Sequence, residues 1–116
     1  MKNKTYILLI LLIVISFNTI EAQSRKQKGL FKLAKQEYSQ LRFAYAIPVI
    51  KQLLLTQPKD TNALVLLAKS YQNVNQIDSA VKYYDLANLS GVKYNSDIAE
   101  SYAMLGNYDK AVQIYK

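Results

Sequence analysis

The residue that most restricts this chain is alanine, because it returns at a fixed interval. Ala34 and Ala68 stand 34 positions apart, and so do Ala46 and Ala80. Beyond them the interval becomes 31, and it holds for six pairs: Ala68/Ala99, Tyr71/Tyr102, Asp78/Asp109, Ala80/Ala111, Val81/Val112 and Tyr84/Tyr115. A period in the thirties marks stacked supersecondary units, none of which can bury its apolar face alone. Within a unit the spacing is helical. Leu64, Leu67, Ala68 and Tyr71 fall along one stripe of a helix, and Ala80, Tyr84 and Ala87 form the matching stripe on the next. Antiparallel helices approach to about 8–10 Å according to the side chains at the crossing. Alanine at 68 and 80 permits the close end of that range, and the tyrosines fill the volume beside it.

Punctuation divides the stripes. Pro58 bars continuation of one helix and Asp60 starts the next. Asn75 or Gln76 separates a second pair. Gly91 ends a helix, and Gly106 suits a left-handed cap ahead of Asn107, an N-cap for the final helix. Pro48 lies in the first turns of its helix. Asp78 and Asp109 recur at helix starts, where a carboxylate meets the positive end of the dipole. Six helices are predicted, over about 26–40, 43–56, 61–73, 77–89, 96–105 and 108–116, and no segment after residue 22 alternates long enough for a strand. The three residues lost from the second interval are expected in the connection at 90–94.

This arrangement resembles the tetratricopeptide repeat family, whose unit is a pair of antiparallel helices crossing at small residues. The family's core positions fall on Ala34 and Ala46 in the first unit, with Leu30, Leu33, Phe43, Ile50, Leu53 and Pro58 in support. In the second they fall on Leu64, Leu67, Ala68, Tyr71, Ala80, Tyr84 and Ala87. In the third they fall on Ile98, Ala99, Tyr102, Gly106, Tyr108, Ala111 and Tyr115, which include the family's G-x-Y turn. Glu37 stands where an aromatic is usual. The resemblance implies an all-α solenoid of antiparallel helix pairs, with units at about 27–60, 61–91 and 92–116, the last incomplete. A terminal repeat ordinarily carries a polar capping helix. The chain reaches Lys116 without one, so the expectation is an N-terminal piece of a longer protein, or a truncated gene.

Residues 1–22 read differently. Lys2 and Lys4 precede an apolar run from Tyr6 to Phe17, and Ala22 offers a small residue for cleavage, with Ile20 a departure at −3. The run is 12 residues, short of the roughly 20 that span a bilayer as a helix. A signal peptide cleaved after Ala22 is expected, ahead of an uncleaved membrane anchor, and the location is the periplasm or the outer membrane.

Composition narrows the chemistry. The 116 residues contain no His and no Cys, which removes imidazole bases, thiol nucleophiles, disulfides and the commonest zinc ligands. No Gly-rich phosphate loop or metal-ligand spacing is present, so no enzyme, cofactor or metal is expected. Charge is uneven: residues 23–60 carry eight Lys and Arg against two acids, whereas 61–116 balance at five and five. The basic unit suits an acidic partner, anionic lipid or simple solvation; nucleic acid is disfavoured by the export signal and the lack of stacked aromatics among the basic residues.

The family's concave face, carried over by position, takes Phe31, Lys35 and Tyr38 from the first unit. Asn62, Val65, Lys69, Gln72 and Asn73 come from the second, and Ser96, Glu100 and Ala103 from the third. Lys35 and Lys69 are equivalent, so two ammonium groups would enter one groove and suit a carboxylate or an acidic segment. The partner-binding candidates are Lys35, Tyr38, Lys69, Gln72, Asn73 and Glu100. Tyr45, Tyr83 and Tyr94 have no core position and are further candidates for contact. The whole is similar to Gram-negative envelope proteins in which such repeats precede a β-propeller and an outer-membrane-protein-A-like domain. That implies a non-enzymatic protein–protein scaffold whose envelope association rests on following domains. A periplasmic sensor segment of a signalling protein is the alternative.

Overall fold

The computed structural model describes residues 2–91 and 96–115. It is an antiparallel helix-pair solenoid, with α1 (Lys2–Ser39), α2 (Phe43–Thr56), α3 (Thr61–Asn73), α4 (Ile77–Leu89), α5 (Ser96–Met104) and α6 (Tyr108–Tyr115) in chain order. No strand occurs among the described residues. Each helix packs on its neighbours in sequence, and α1 also touches α3. The interval was expected to shorten in the connection at 90–94, of which residues 92–94 lie outside the described residues.

Each unit turns between its helices by the same device. In the first, the Leu41 N–H donates to Tyr38 O and the Arg42 N–H to Glu37 O, at 3.0 and 2.9 Å. Asn75 and Gln76 repeat the pattern onto Gln72 and Tyr71, and Gly106 and Asn107 onto Ala103 and Tyr102. These paired bonds satisfy carbonyls that the helix end would otherwise orphan, and they require a left-handed residue at the turn. Leu41, Asn75 and Gly106 hold φ of 60°, 62° and 82°. Gly91 also has positive φ. Two helix starts are capped as expected: Asp60 accepts from the Ala63 N–H at 3.1 Å, and Asn107 from the Lys110 N–H at 3.3 Å. Pro48 sits in the second turn of α2, where its missing N–H leaves the Ala44 carbonyl without a helical partner.

The helix expected over 26–40 starts far earlier. α1 runs unbroken from Lys2, because its apolar residues are good helix formers and nothing before Gly29 interrupts them. Residues 3–26 of α1 are exposed along its whole circumference.

Ala34, Ala46, Ala68, Ala80, Ala87 and Ala99 are fully buried, as is Tyr84, and Leu64, Leu67, Tyr71, Tyr102 and Ala111 are buried with them. The core is therefore a line of small residues at helix crossings flanked by large ones, and each buried Leu or Tyr contributes about 1.5–3 kcal/mol by leaving water. Tyr108 and Tyr115, expected in this core, instead lie 67% and 65% exposed. Both are on the side of α6 against which no described element packs, and a solenoid unit buries that side only beneath a following helix. Gly106 is exposed as well and serves the turn rather than the core. Among the buried residues that went unforeseen are Ala63 and two polar ones, Ser70 and Ser101, themselves 31 apart. Each serine returns its hydroxyl to a carbonyl four residues back, Leu66 at 2.8 Å and Asp97 at 3.0 Å, so a small polar side chain is tolerated at a tight crossing.

Candidate functional site

Three helices, α1, α3 and α5, supply one long trough on the inner side of the solenoid. Lys35 and Tyr38 leave α1 and Lys69 leaves α3 to border a hollow of about 500 Å³, floored by Phe31 and Val65. Next to it a hollow of about 380 Å³ lies between Tyr38, Lys69, Gln72, Asn73 and Glu100, with Asp97 beside them. Tyr38 and Lys69 belong to both, so the two hollows are continuous. The six candidates carried over from the family's concave positions thus border one surface. The 3.6-residue turn explains this: positions four and three apart on α1 and α3 share a face, and the small crossings hold those faces side by side.

Internal bonds hold several of these side chains in place. The Asn73 amide donates to Lys69 O at 2.8 Å and reaches Tyr38 Oη at 3.5 Å. Gln72 Oε1 accepts from the buried Tyr84 hydroxyl at 3.0 Å. Burial pushes the Tyr84 phenol well above its ordinary pKa, with the Asp97 charge adding to the effect, so it is a proton donor and not a base. The Lys69 ammonium lies 3.4 Å from Asp97 Oδ2. Lys35 Nζ sits 5.3 Å from the centre of the Phe31 ring, within reach of a cation–π contact. The floor of the trough is fixed and its rim carries the cations.

The trough extends further than the register suggested. A third hollow of about 470 Å³ shares Phe31, Lys35 and Asn62 with the first and adds Lys28 and Lys32. Gln27 closes its end, donating to Thr56 Oγ1 and accepting from the Gln57 amide, both at 2.7 Å. Lys28 and Lys32 were legible only as part of a basic stretch. Their spacing of four, with Lys35 three further on, is the signal that places them on the trough face.

The remaining tyrosines divide. Tyr83 stacks on Tyr71 at 5.6 Å and 3° between planes, so its ring has a packing role. Lys51 lies 5.5 Å from the Tyr71 ring. Hydrogen bonding to Tyr71 holds the Lys51 ammonium above its ordinary pKa, since a partner for the charged form favours it. Tyr45 is exposed beneath the Arg42 guanidinium, 4.8 Å from its ring centre. Tyr94 lies outside the described residues. What the trough offers chemically is ammonium groups and ring faces, with amides and the carboxylates of Asp97 and Glu100 at one end, a set suited to pairing with charged side chains and extended backbone.

No protein-family model matches the chain, and no curated protein does. Solved structures do. The type III secretion translocator chaperone SycD of Yersinia enterocolitica superposes with a TM-score of 0.71 at 21% identity, over 78% of this chain and 70% of that one. A point mutant of MamA superposes with a TM-score of 0.70 at 18% identity, over 78% of this chain and 68% of that one. At such identities the likeness is one of fold: this chain is a tetratricopeptide-like helical-repeat solenoid.

Proposed function

We propose that the chain is a non-enzymatic protein-binding scaffold of the cell envelope, exported through residues 1–22, which grips an extended segment of a partner along the trough of α1, α3 and α5. One observation supports the binding half: six side chains that the family resemblance assigns to a concave face border one continuous surface. A partner segment laid there would meet amides for its backbone and lysines for its carboxylates. The role that SycD bears in its name, a translocator chaperone, agrees with protein binding by this fold. Export is supported by the apolar part of α1, which finds no place in the core, and cleavage after Ala22 would leave the repeat units whole.

The test is a comparison of Lys35→Glu/Lys69→Gln with the unaltered chain in capture from envelope extract. Glutamine at 69 avoids setting a second carboxylate against Asp97. Proteins retained by the unaltered chain should be lost from the variant, with helical circular dichroism the same in both. Equal capture by the two would overturn the assignment of the trough.

A further inference from the structure

The trough carries its charges unevenly along its length. At one end Lys28, Lys32 and Lys35 line one hollow together with Phe31, and Lys35 Nζ lies 5.3 Å from the ring centre. Asp60 is the carboxylate nearby, and it is engaged as the cap of α3, accepting from the Ala63 N–H. None of the three lysines forms an ion pair among the described residues. At the other end lie Lys69, Asp97 and Glu100. Lys69 and Asp97 offset one another at 3.4 Å, which leaves the Glu100 charge in excess there. Phe31, at the basic end, and Val65, next to it in the adjoining hollow, form the apolar floor.

From this gradient, and resting on the scaffold reading, we infer that the trough orients its ligand: an extended peptide lies with an acidic end over Phe31 and a basic or neutral end over Glu100. A uniformly anionic chain, such as a nucleic acid, would gain at the lysines and then run onto Glu100. A dipolar peptide matches both ends. Alternate side chains of an extended segment face the same way, so acidic residues two apart can reach the lysines while an apolar neighbour opposes the ring floor. Each solvent-exposed pair is worth about 1.4- to fivefold in affinity. Reversing three charges together therefore changes affinity by about tenfold or more.

The probe is a synthetic peptide with blocked termini, glutamate-rich at one end, lysine-rich at the other and leucine between, carrying a nitroxide at the acidic end. It is added to the full isotope-labelled chain in zwitterionic detergent. Amide signals of residues 28–35 should broaden and those of 100–104 should not; moving the nitroxide to the basic end should exchange the two sets. Lys28→Glu/Lys32→Glu/Lys35→Glu should weaken binding about tenfold with helicity unchanged. Broadening at both ends alike would overturn the orientation and leave the scaffold reading standing. Tighter binding of a uniformly acidic peptide or of RNA would also overturn it. Spectral changes confined to residues outside the trough would overturn both.

Discussion

Leu41 holds a backbone conformation that its own side chain resists. Its φ of 60° is set by the turn between α1 and α2, where the equivalent positions are Asn75 and Gly106. The left-handed region costs a branched L residue about 1–2 kcal/mol, and the Leu41 side chain, 75% exposed, recovers little of that by packing. Glycine removes the clash and loses about 0.5–1 kcal/mol through the freedom of its unfolded chain. Leu41→Gly should therefore stabilise the protein by roughly 0.5–1 kcal/mol. A denaturant midpoint shifted upward at unchanged slope is the expected reading; a lower midpoint would mean that the leucine makes a contact worth more than its strain. Glu37, in the same turn, shows a second local solution. It stands where Tyr71 and Tyr102 stand in the later units, and its Oε2 lies 2.9 Å from Arg42 Nε, close enough for an ion pair but without the alignment of a hydrogen bond. Arg42 follows the turn itself, so the first unit holds its helix end with charge where the others use a ring.

At the scale of the helices, the close crossing of α3 and α4 depends on side chains that end at one methyl. Ala68 and Ala80 are both fully buried there. A glutamate at 80 would have to bury a carboxylate without a partner or force the helices apart, a loss of about 3 kcal/mol or more. Ala80→Glu should abolish cooperative melting, whereas Leu89→Glu on the same helix should melt like the unaltered chain, because Leu89 is 83% exposed. Equal behaviour of the two variants would place Ala80 at the surface. This dependence on small residues is also why so much of the fold was legible. An alanine that returns at fixed spacing needs no partner to be recognised, and Asp60, Asn75 and Gly106 announce helix ends by local chemistry, so α2, α3 and α4 begin and end where periodicity put them. The start of α1 was not legible, since an apolar run with no proline or glycine continues a helix as readily as it forms a separate segment. Nor was the exposure of Tyr108 and Tyr115, because a stripe records which face is apolar and not whether anything lies on it. The trough was half legible: Lys35 and Lys69 align with repeat positions, while Lys28 and Lys32 precede the first matched alanine and gain meaning only from the helix that carries them.

Over the whole molecule, whose extents are 72 × 29 × 17 Å, the long axis reflects α1, about 57 Å at 1.5 Å per residue. Its exposed apolar stem adds nothing to the repeat core, so stability must come from units stacked in a row, each bound to its neighbours. The seams differ. α2 packs on α3 more extensively than α4 packs on α5 among the described residues. The thinner seam carries a polar latch: Asp85 on α4 accepts from the Tyr102 hydroxyl on α5 and lies 3.9 Å from Lys110 on α6, whose ammonium sits 4.5 Å from the Tyr102 ring. At the corresponding place one seam earlier, Lys51 lies over Tyr71, so the tyrosine is kept while the sign of its charged neighbour changes. Removing the latch should loosen the third unit alone. A hydrogen bond to a charged group is worth about 1.5–3 kcal/mol when sheltered, and partial exposure of Asp85 reduces that to roughly 1 kcal/mol. Asp85→Ala should therefore speed amide hydrogen exchange in α5 and α6 by about fivefold, while α2 and α3 exchange as before. Acceleration spread evenly over every helix would instead mean that the units open together, and that the seam between α4 and α5 is as firm as the rest.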